Sequence, residues 1–221
     1  MARGRAKGDH DIKRAEIAEA ACKVILRMGL AQASLAEIAH EMGNTTGILR
    51  HYFRDKEQLL LYAKNLLFDR SYEKARSAAM RHNGIERLRA MAIALLPCDG
   101  PSIDRFRLLA TFNGYAIGNA QLMRGQHKRD ADHWQAFEEV ITGLQEDESL
   151  PRTLDPRLEA CGILAMIDGL ADQVMMNPSA WSADDIRMLM SRYIESLSRT
   201  RDRTESGGPS RPGRRGSASR S

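Results

Sequence analysis

Between Ser34 and Lys56 stand residues of the types that hold the edge of a nucleic-acid duplex. Thr45, Thr46, Arg50, His51 and Tyr52 carry hydroxyl, guanidinium, imidazole and phenol groups. Such groups make hydrogen bonds to phosphates and to base edges. Around them Leu35, Ile38, Ala39, Leu49 and Phe53 form an apolar set able to lock two short helices together. The segments Ser34–Met42 and Thr45–Phe53, joined across Gly43–Asn44, have the lengths and the tight turn of a helix-turn-helix. Gly47 has no side chain, so the backbone of the second helix can come close to a groove. Spacing alone fits a plain three-helix packing unit with a polar outer face equally well.

The rest of the chain offers weaker candidates. His127, Asp130 and His133 fall at helical spacing, but Lys128 and Arg129 intervene and no third ligand has reliable geometry. A solvated helix face is expected there, with no metal and no cofactor. Cys98 beside Asp99 has no neighbouring base, and neither a Gly-rich phosphate loop nor a serine elbow occurs, so the chain does not read as an enzyme. Phe106, Phe112, Tyr115, Met123 and Trp134 could line a ligand pocket, although aromatic and Met residues at helical spacing are more often core. Asp168, inside the most apolar helix, is expected to be buried and therefore paired. That pairing is either a structural bond or a contact to a cationic ligand.

Composition sets the frame. In 221 residues there are 23 leucines, 11 methionines and only three valines (Val24, Val140, Val174), and aromatics make up 5%. Such a chain is unlike a sheet builder and is expected to be all-helical. The three cysteines, Cys22, Cys98 and Cys161, lie far apart without ligand spacing, which suits free thiols in a reducing cytoplasm. The longest apolar run, Ala90–Leu96, is too short to cross a bilayer. Met1–His10 is basic with no apolar stretch behind it, so no secretory leader is expected. Charge is uneven: residues 1–76 hold 14 Lys and Arg against 10 Asp and Glu, whereas residues 77–200 hold 13 against 17. A basic first third on an acidic body suits nucleic acid, and it suits a solvated face as well.

Helical punctuation is plain. Ile17, Ala20, Ala21, Val24, Ile25 and Met28 give one buried face of a helix from Asp11 to Met28, closed by Gly29. Ser34 with Glu37, and Asp55 with Gln58, form capping-box patterns that open a two-turn helix and a long one. Further helices are expected over Gly84–Leu96, from a cap at Ser102 to Gly118, over 121–147, over Arg157–Met176 and from a cap at Ser182 to Thr200. That makes about nine in all. Residues 1–10 read as a flexible basic arm whose Arg3 and Arg5 could enter a minor groove. Residues 201–221 read as an Arg/Gly/Ser/Pro tail without fixed structure. Between them, residues 11–71, with the helix-turn-helix at 34–53, are expected to form one domain and residues 72–200 another.

The run Ser34-Leu-Ala-Glu-Ile-Ala-His-Glu-Met-Gly-Asn-Thr-Thr-Gly-Ile-Leu-Arg-His-Tyr-Phe-Arg-Asp-Lys-Glu resembles the signature of TetR-type bacterial transcriptional regulators. Thr46 to Lys56 is especially similar to the BetI-like branch. Ile167-Asp-Gly-Leu, Pro178 and Ser182-Ala-Asp-Asp-Ile resemble the last two helices of that branch. The resemblance implies that the first three helices and the start of the fourth bind double-stranded operator DNA. It also implies that the remainder dimerises and can hold a small-molecule effector. By position, Ser34 and Lys56 would contact phosphates, and Thr45, Thr46, Arg50, His51 and Tyr52 would line the major groove. Asn44 stands where an apolar residue is usual, so the turn would pack less tightly or touch phosphate itself. Arg50 stands where Tyr is common.

Dimerisation is expected through the last two helices, because the apolar stretch Leu158–Met176 and the stripe from Ile186 to Leu197 together exceed what one chain can cover. Leu158, Ala165, Gly169, Leu189, Tyr193, Ile194 and Leu197 are the residues assigned to that interface. The expectation is therefore a cytoplasmic homodimeric repressor, on the nucleoid when bound, released from a pseudo-palindromic operator by a ligand. The alternatives are a constitutive regulator without inducer and a helical small-molecule-binding enzyme.

Overall fold

In the computed structural model, residues 2–117 and 120–199 are described, with residues 2–7, 120–130 and 132 described by their helical backbone alone. Nine α-helices and one 3-10 turn (Pro178–Ala180) make up the regular structure of the described residues. They are α1 (Ala2–Met28), α2 (Leu35–Glu41), α3 (Thr46–Tyr52), α4 (Lys56–Ala79), α5 (Ile85–Ile93), α6 (Gly100–Ala116), α7 (Ala120–Glu146), α8 (Pro156–Met176) and α9 (Ala183–Arg199). The all-helical reading holds. The tail from residue 201 lies outside the described residues.

Side-chain caps set most of the starts. The Ser34 hydroxyl accepts the Glu37 N–H at 3.1 Å and opens α2. Asp55 accepts the Gln58 N–H at 2.8 Å, while the Gln58 amide oxygen accepts the Arg54 N–H at 2.8 Å, a box displaced by one residue. Gly43, at φ +62°, makes the turn between α2 and α3 in the left-handed region that glycine enters without cost. At α9 the Ser182 hydroxyl accepts the Asp185 N–H and the Asp185 carboxylate accepts the Ser182 N–H, both at 3.1 Å.

Two starts differ from expectation. Asp99, not Ser102, caps α6: its carboxylate accepts the Ser102 N–H at 2.7 Å and the Ser102 hydroxyl accepts the Asp99 N–H at 3.0 Å. Pro101 is thus no break but a first-turn residue, where the missing N–H would have had no intrahelical partner. At the other end of the chain, α1 begins at Ala2 rather than Asp11, so Arg3 and Arg5 belong to a helix and not to a flexible arm. Prolonging a formed helix gains one hydrogen bond per residue fixed. Arg3, Arg5, Ala6 and Lys7 are good helix formers, and Gly4 and Gly8 cost only about 1 kcal/mol each.

The buried side chains form two cores. One joins Ile17, Val24, Ile38, Leu49, Phe53 and Leu59 from α1 to α4. The other joins Leu88, Met91, Phe137, Ile141, Ile163 and Met190 from α5 to α9. Two helices serve both. In α4, Leu59, Leu60 and Ala63 lie in the first core and Ala75 and Ala79 in the second; in α6, Phe106 lies in the second and Leu108 and Phe112 in the first. The expected boundary after residue 71 therefore falls inside an unbroken helix.

The stripe of α9 is a further correction. Ile186, Met190, Ile194 and Leu197 turn inward, with Ile194 0% and Leu197 5% exposed, so one chain covers them against its own α5 and α8. Ile194 and Leu197 are core residues and not interface residues. A carboxylate at Ile194 would be buried without a partner, a cost of several kcal/mol. Ile194→Glu is expected to lower stability by more than about 4 kcal/mol. The change is read as a collapse of the urea midpoint, and a midpoint equal to that of the native chain would contradict this core.

Candidate nucleic-acid interface and interior cavity

Leu49 and Phe53 hold α3 against the first core from one side, fully buried. Arg14 of α1 braces the end of α3 from below, its guanidinium 4.8 Å from the Phe53 ring centroid and 4.3 Å from that of Tyr62. The opposite side of α3 is open: Thr45, Thr46, Gly47, Arg50 and His51 are exposed, as the spacing predicts. Ile48 joins them at 38% exposure, an apolar side chain that pattern reading leaves unassigned. Tyr52 is half-buried, with its ring 4.9 Å from His10 of α1 and 5.1 Å, edge-on, from His51. A Cβ added at Gly47 would meet only the Thr45 hydroxyl, at an ordinary 3.7 Å. Nothing inside the chain demands glycine there, so any demand comes from outside it.

Three polar residues have structural engagements of their own. The Asn44 amide donates to the Met42 carbonyl at 3.0 Å, tying down the turn where an apolar residue was expected to pack. The Ser34 hydroxyl serves the α2 cap while staying at the surface. Lys56 donates to the Leu30 carbonyl at 2.8 Å, fastening the α1–α2 loop to the start of α4, and burial lowers the pKa of its ammonium.

The second core contains a cavity of about 240 Å³. Its walls include Phe68, Ser71 and Tyr72 of α4, and Arg105, Phe106 and Asn113 of α6. His133 and Trp134 of α7 and Asp168 and Asp172 of α8 complete the polar and aromatic lining. His133 stacks flat on Tyr72, with centroids 3.5 Å apart, and lies 5.1 Å from the Phe68 ring. Beside the cavity the buried Lys64 ammonium donates to the Asn113 amide oxygen at 2.6 Å, joining α4 to α6.

Of the residues expected in a pocket, Phe106, Trp134 and Asp168 line this one. Phe112 does not, because its ring fills the first core. Tyr115 is exposed at the surface, where its hydroxyl donates to Glu57 at 3.4 Å. The Met123 side chain lies outside the described residues, as do those of Arg3 and Arg5. Asp168 is exposed rather than buried, since it sits on the side of α8 that faces the cavity mouth, where water reaches its charge. Sequence reading missed Phe68, Tyr72, Arg105, His133 and Asp172 as lining. The i, i+4 pairs Phe68–Tyr72 and Asp168–Asp172 were the available signal. Among the described residues no group of three His, Cys, Asp or Glu is placed to hold a metal ion. No helix of the described residues is long and apolar enough to cross a membrane.

Comparison with known proteins agrees with this geometry. Residues 17–63 match the family model of bacterial regulatory proteins of the TetR family, and residues 84–199 match that of the BetI-type transcriptional repressor C-terminal region. The chain is 30% identical over 196 residues to the HTH-type transcriptional regulator PksA of Bacillus subtilis, covering 86% of this chain and 91% of that protein. It is 29% identical over 194 residues to the HTH-type transcriptional regulator BetI of Vibrio atlanticus, covering 85% and 92%. A transcriptional regulator from Saccharomonospora viridis, solved in complex with choline, shares the fold with a TM-score of 0.74 at 22% identity, over 84% of this chain and 96% of that one. An exposed, firmly seated second helix of a helix-turn-helix, matched together with the BetI-type body over more than half its length, makes the chain a member of the TetR family of bacterial DNA-binding transcriptional regulators.

Proposed function

We propose that the protein is a homodimeric repressor that grips a pseudo-palindromic operator with α3 and is released when a small molecule occupies the cavity. The observation that carries this reading is that the cavity walls on α4 and α6 are the same two helices that continue into the first core. A ligand that fits the cavity better in one arrangement of α4 and α6 shifts the placement of α3, because it discriminates between the two states. In a dimer the two α3 helices must sit about 34–36 Å apart to meet successive major grooves, so a small swing of α4 suffices to spoil the match. The fold neighbour that holds choline supports a small-molecule role for the body.

The proposed dimer face is the outward side of α8 and α9. Leu158 and Met176 on α8 are 66% and 82% exposed, Ala165 and Gly169 lie exposed between them, and Leu189 and Tyr193 of α9 are half-buried alongside. Small residues there let two helices approach closely across a two-fold, as in a four-helix bundle. A Cβ at Gly169 meets nothing within 4 Å, so Gly169→Arg leaves the monomer fold intact. Sedimentation is expected to show that variant as a folded monomer with weakened operator binding. A native-like dimer would remove this face from the interface.

On DNA, Arg50 extends from the open side of α3. A guanidinium there meets guanine O6 and N7 with two parallel hydrogen bonds, a bond pattern that tyrosine cannot imitate. Arg50→Ala is expected to cost roughly 1–3 kcal/mol at the cognate operator and to relax the preference at one G·C pair per half-site. Selection of sites from random DNA decides the matter, since an unchanged motif with evenly reduced affinity would make Arg50 a phosphate contact. Ser34 and Lys56 belong to the backbone footprint in this proposal. Lys56→Ala is expected to weaken all sequences alike and to reduce the salt slope by about one unit, and an unaltered slope would exclude it.

A further inference from the structure

The polar groups of the cavity do not all do the same work. The Ser71 hydroxyl donates to the Leu67 carbonyl at 2.6 Å, and the Asn113 amide oxygen accepts from Lys64. Arg105 is different. Its guanidinium packs over the Phe106 ring at 4.6 Å and donates through Nη2 to the Leu95 carbonyl. Its Nε and Nη1 donors have no hydrogen-bond partner among the described residues, and neither is sealed from the cavity as Arg89 Nε is sealed in its own surroundings. A guanidinium with donors left over at a cavity wall is a group that can meet an anion. Burial lowers the pKa of Arg105, while Asp99, Tyr72 and Asp168 act against that lowering, which places Asp168 within electrostatic reach across the cavity.

The α8 lining carries the other sign. Asp168 and Asp172 stand one helical turn apart on α8, both exposed at the cavity mouth, and Asp172 forms no hydrogen bond or ion pair among the described residues. The Phe68, Phe106 and Trp134 rings and the His133–Tyr72 stack complete the lining. At about 240 Å³ the space is below the roughly 300–1,000 Å³ of drug-sized ligand sites, and so suits a metabolite.

We propose that the cavity takes a small zwitterion, its carboxylate on the free donors of Arg105, its apolar or aromatic body between the rings, and its ammonium at Asp172 beside Asp168. This rests on the reading of the cavity as the effector site. A purely cationic ligand would leave the spare donors of Arg105 unmet, and a purely anionic one would meet the Asp172 carboxylate at the mouth.

Matched skeletons test it with the full chain. In the aromatic series phenylalanine is the zwitterion, with phenethylamine and 3-phenylpropionate as its two halves; in the linear series 6-aminohexanoate is the zwitterion, with hexylamine and hexanoate as its halves. Calorimetric titration of each is expected to show the zwitterion of at least one series binding about tenfold or more tighter than either half. Arg105→Met is expected to erase the advantage over the amine, and Asp172→Asn the advantage over the acid, with sedimentation showing that the latter keeps its assembly, since Asp172 stands one turn from Gly169 and Met176 of the proposed dimer face. A half that binds as well as its zwitterion in both series would overturn the proposal, as would an undiminished preference in Asp172→Asn or no binding in either series. Operator binding followed in parallel separates the two readings: a zwitterion that binds but leaves DNA affinity unchanged would overturn release by effector and leave the ligand class standing.

Discussion

Everything in this molecule depends on two helices that each belong to two cores. α4 carries Leu59, Leu60 and Ala63 into the core beneath the DNA-facing helix and Ala75 and Ala79 into the core of the body. α6 makes the same crossing within two turns, from Phe106 to Phe112. Where they run side by side, Lys64 is 4% exposed and its ammonium donates to Asn113 at 2.6 Å. A charge taken out of water costs several kcal/mol unless its bonds are kept, so the two helices are held in one register at the height of the cavity. Close-packed interiors pass such a constraint on rather than absorbing it.

The proposed function follows from where the cavity lies in this arrangement. The helix-turn-helix is stiffened on every side: by the Ser34 and Asp55 caps, by Arg14 beneath Phe53 and by Lys56 on the Leu30 carbonyl. The body holds a cavity instead, and two of its walls are α4 and α6. In the proposed function the well-braced helix-turn-helix keeps its DNA contacts in kind, and an occupant of the cavity alters their placement. Coupling of this type needs only a few kcal/mol between sites, well within what a buried contact between neighbouring helices supplies.

The short helices, their turn and the outward face of α3 were legible because the signals are local: a cap at Ser34, a glycine at 43, and Leu49 and Phe53 at the spacing that seats a helix. The helical class and the family were legible for the same reason. What escaped depends on which neighbour a face meets. The stripe Ile186–Leu197 looks like an interface by periodicity alone, yet α5 of the same chain covers it. Phe112 and Phe106 are alike in pattern, but the crossing of α6 puts one in each core. Asp168 reads as buried from its apolar neighbours in sequence, whereas the side of α8 it occupies opens on the cavity. Arg105 gave no signal at all, since a lone arginine on a helix is ordinary until its surroundings are known.

The proposed coupling of the cavity to α3 is tested most directly by occupying the cavity with the protein's own side chain. Ala110 lines it from α6 at the exposed rim, and Ala110→Trp brings a ring to the mouth of the space that the effector is proposed to take. Helicity and dimerisation should be retained, while operator affinity measured by fluorescence anisotropy should fall about tenfold or more, a coupling of roughly 1.4 kcal/mol. A folded, dimeric Ala110→Trp protein that binds its operator as tightly as the native chain would contradict the account.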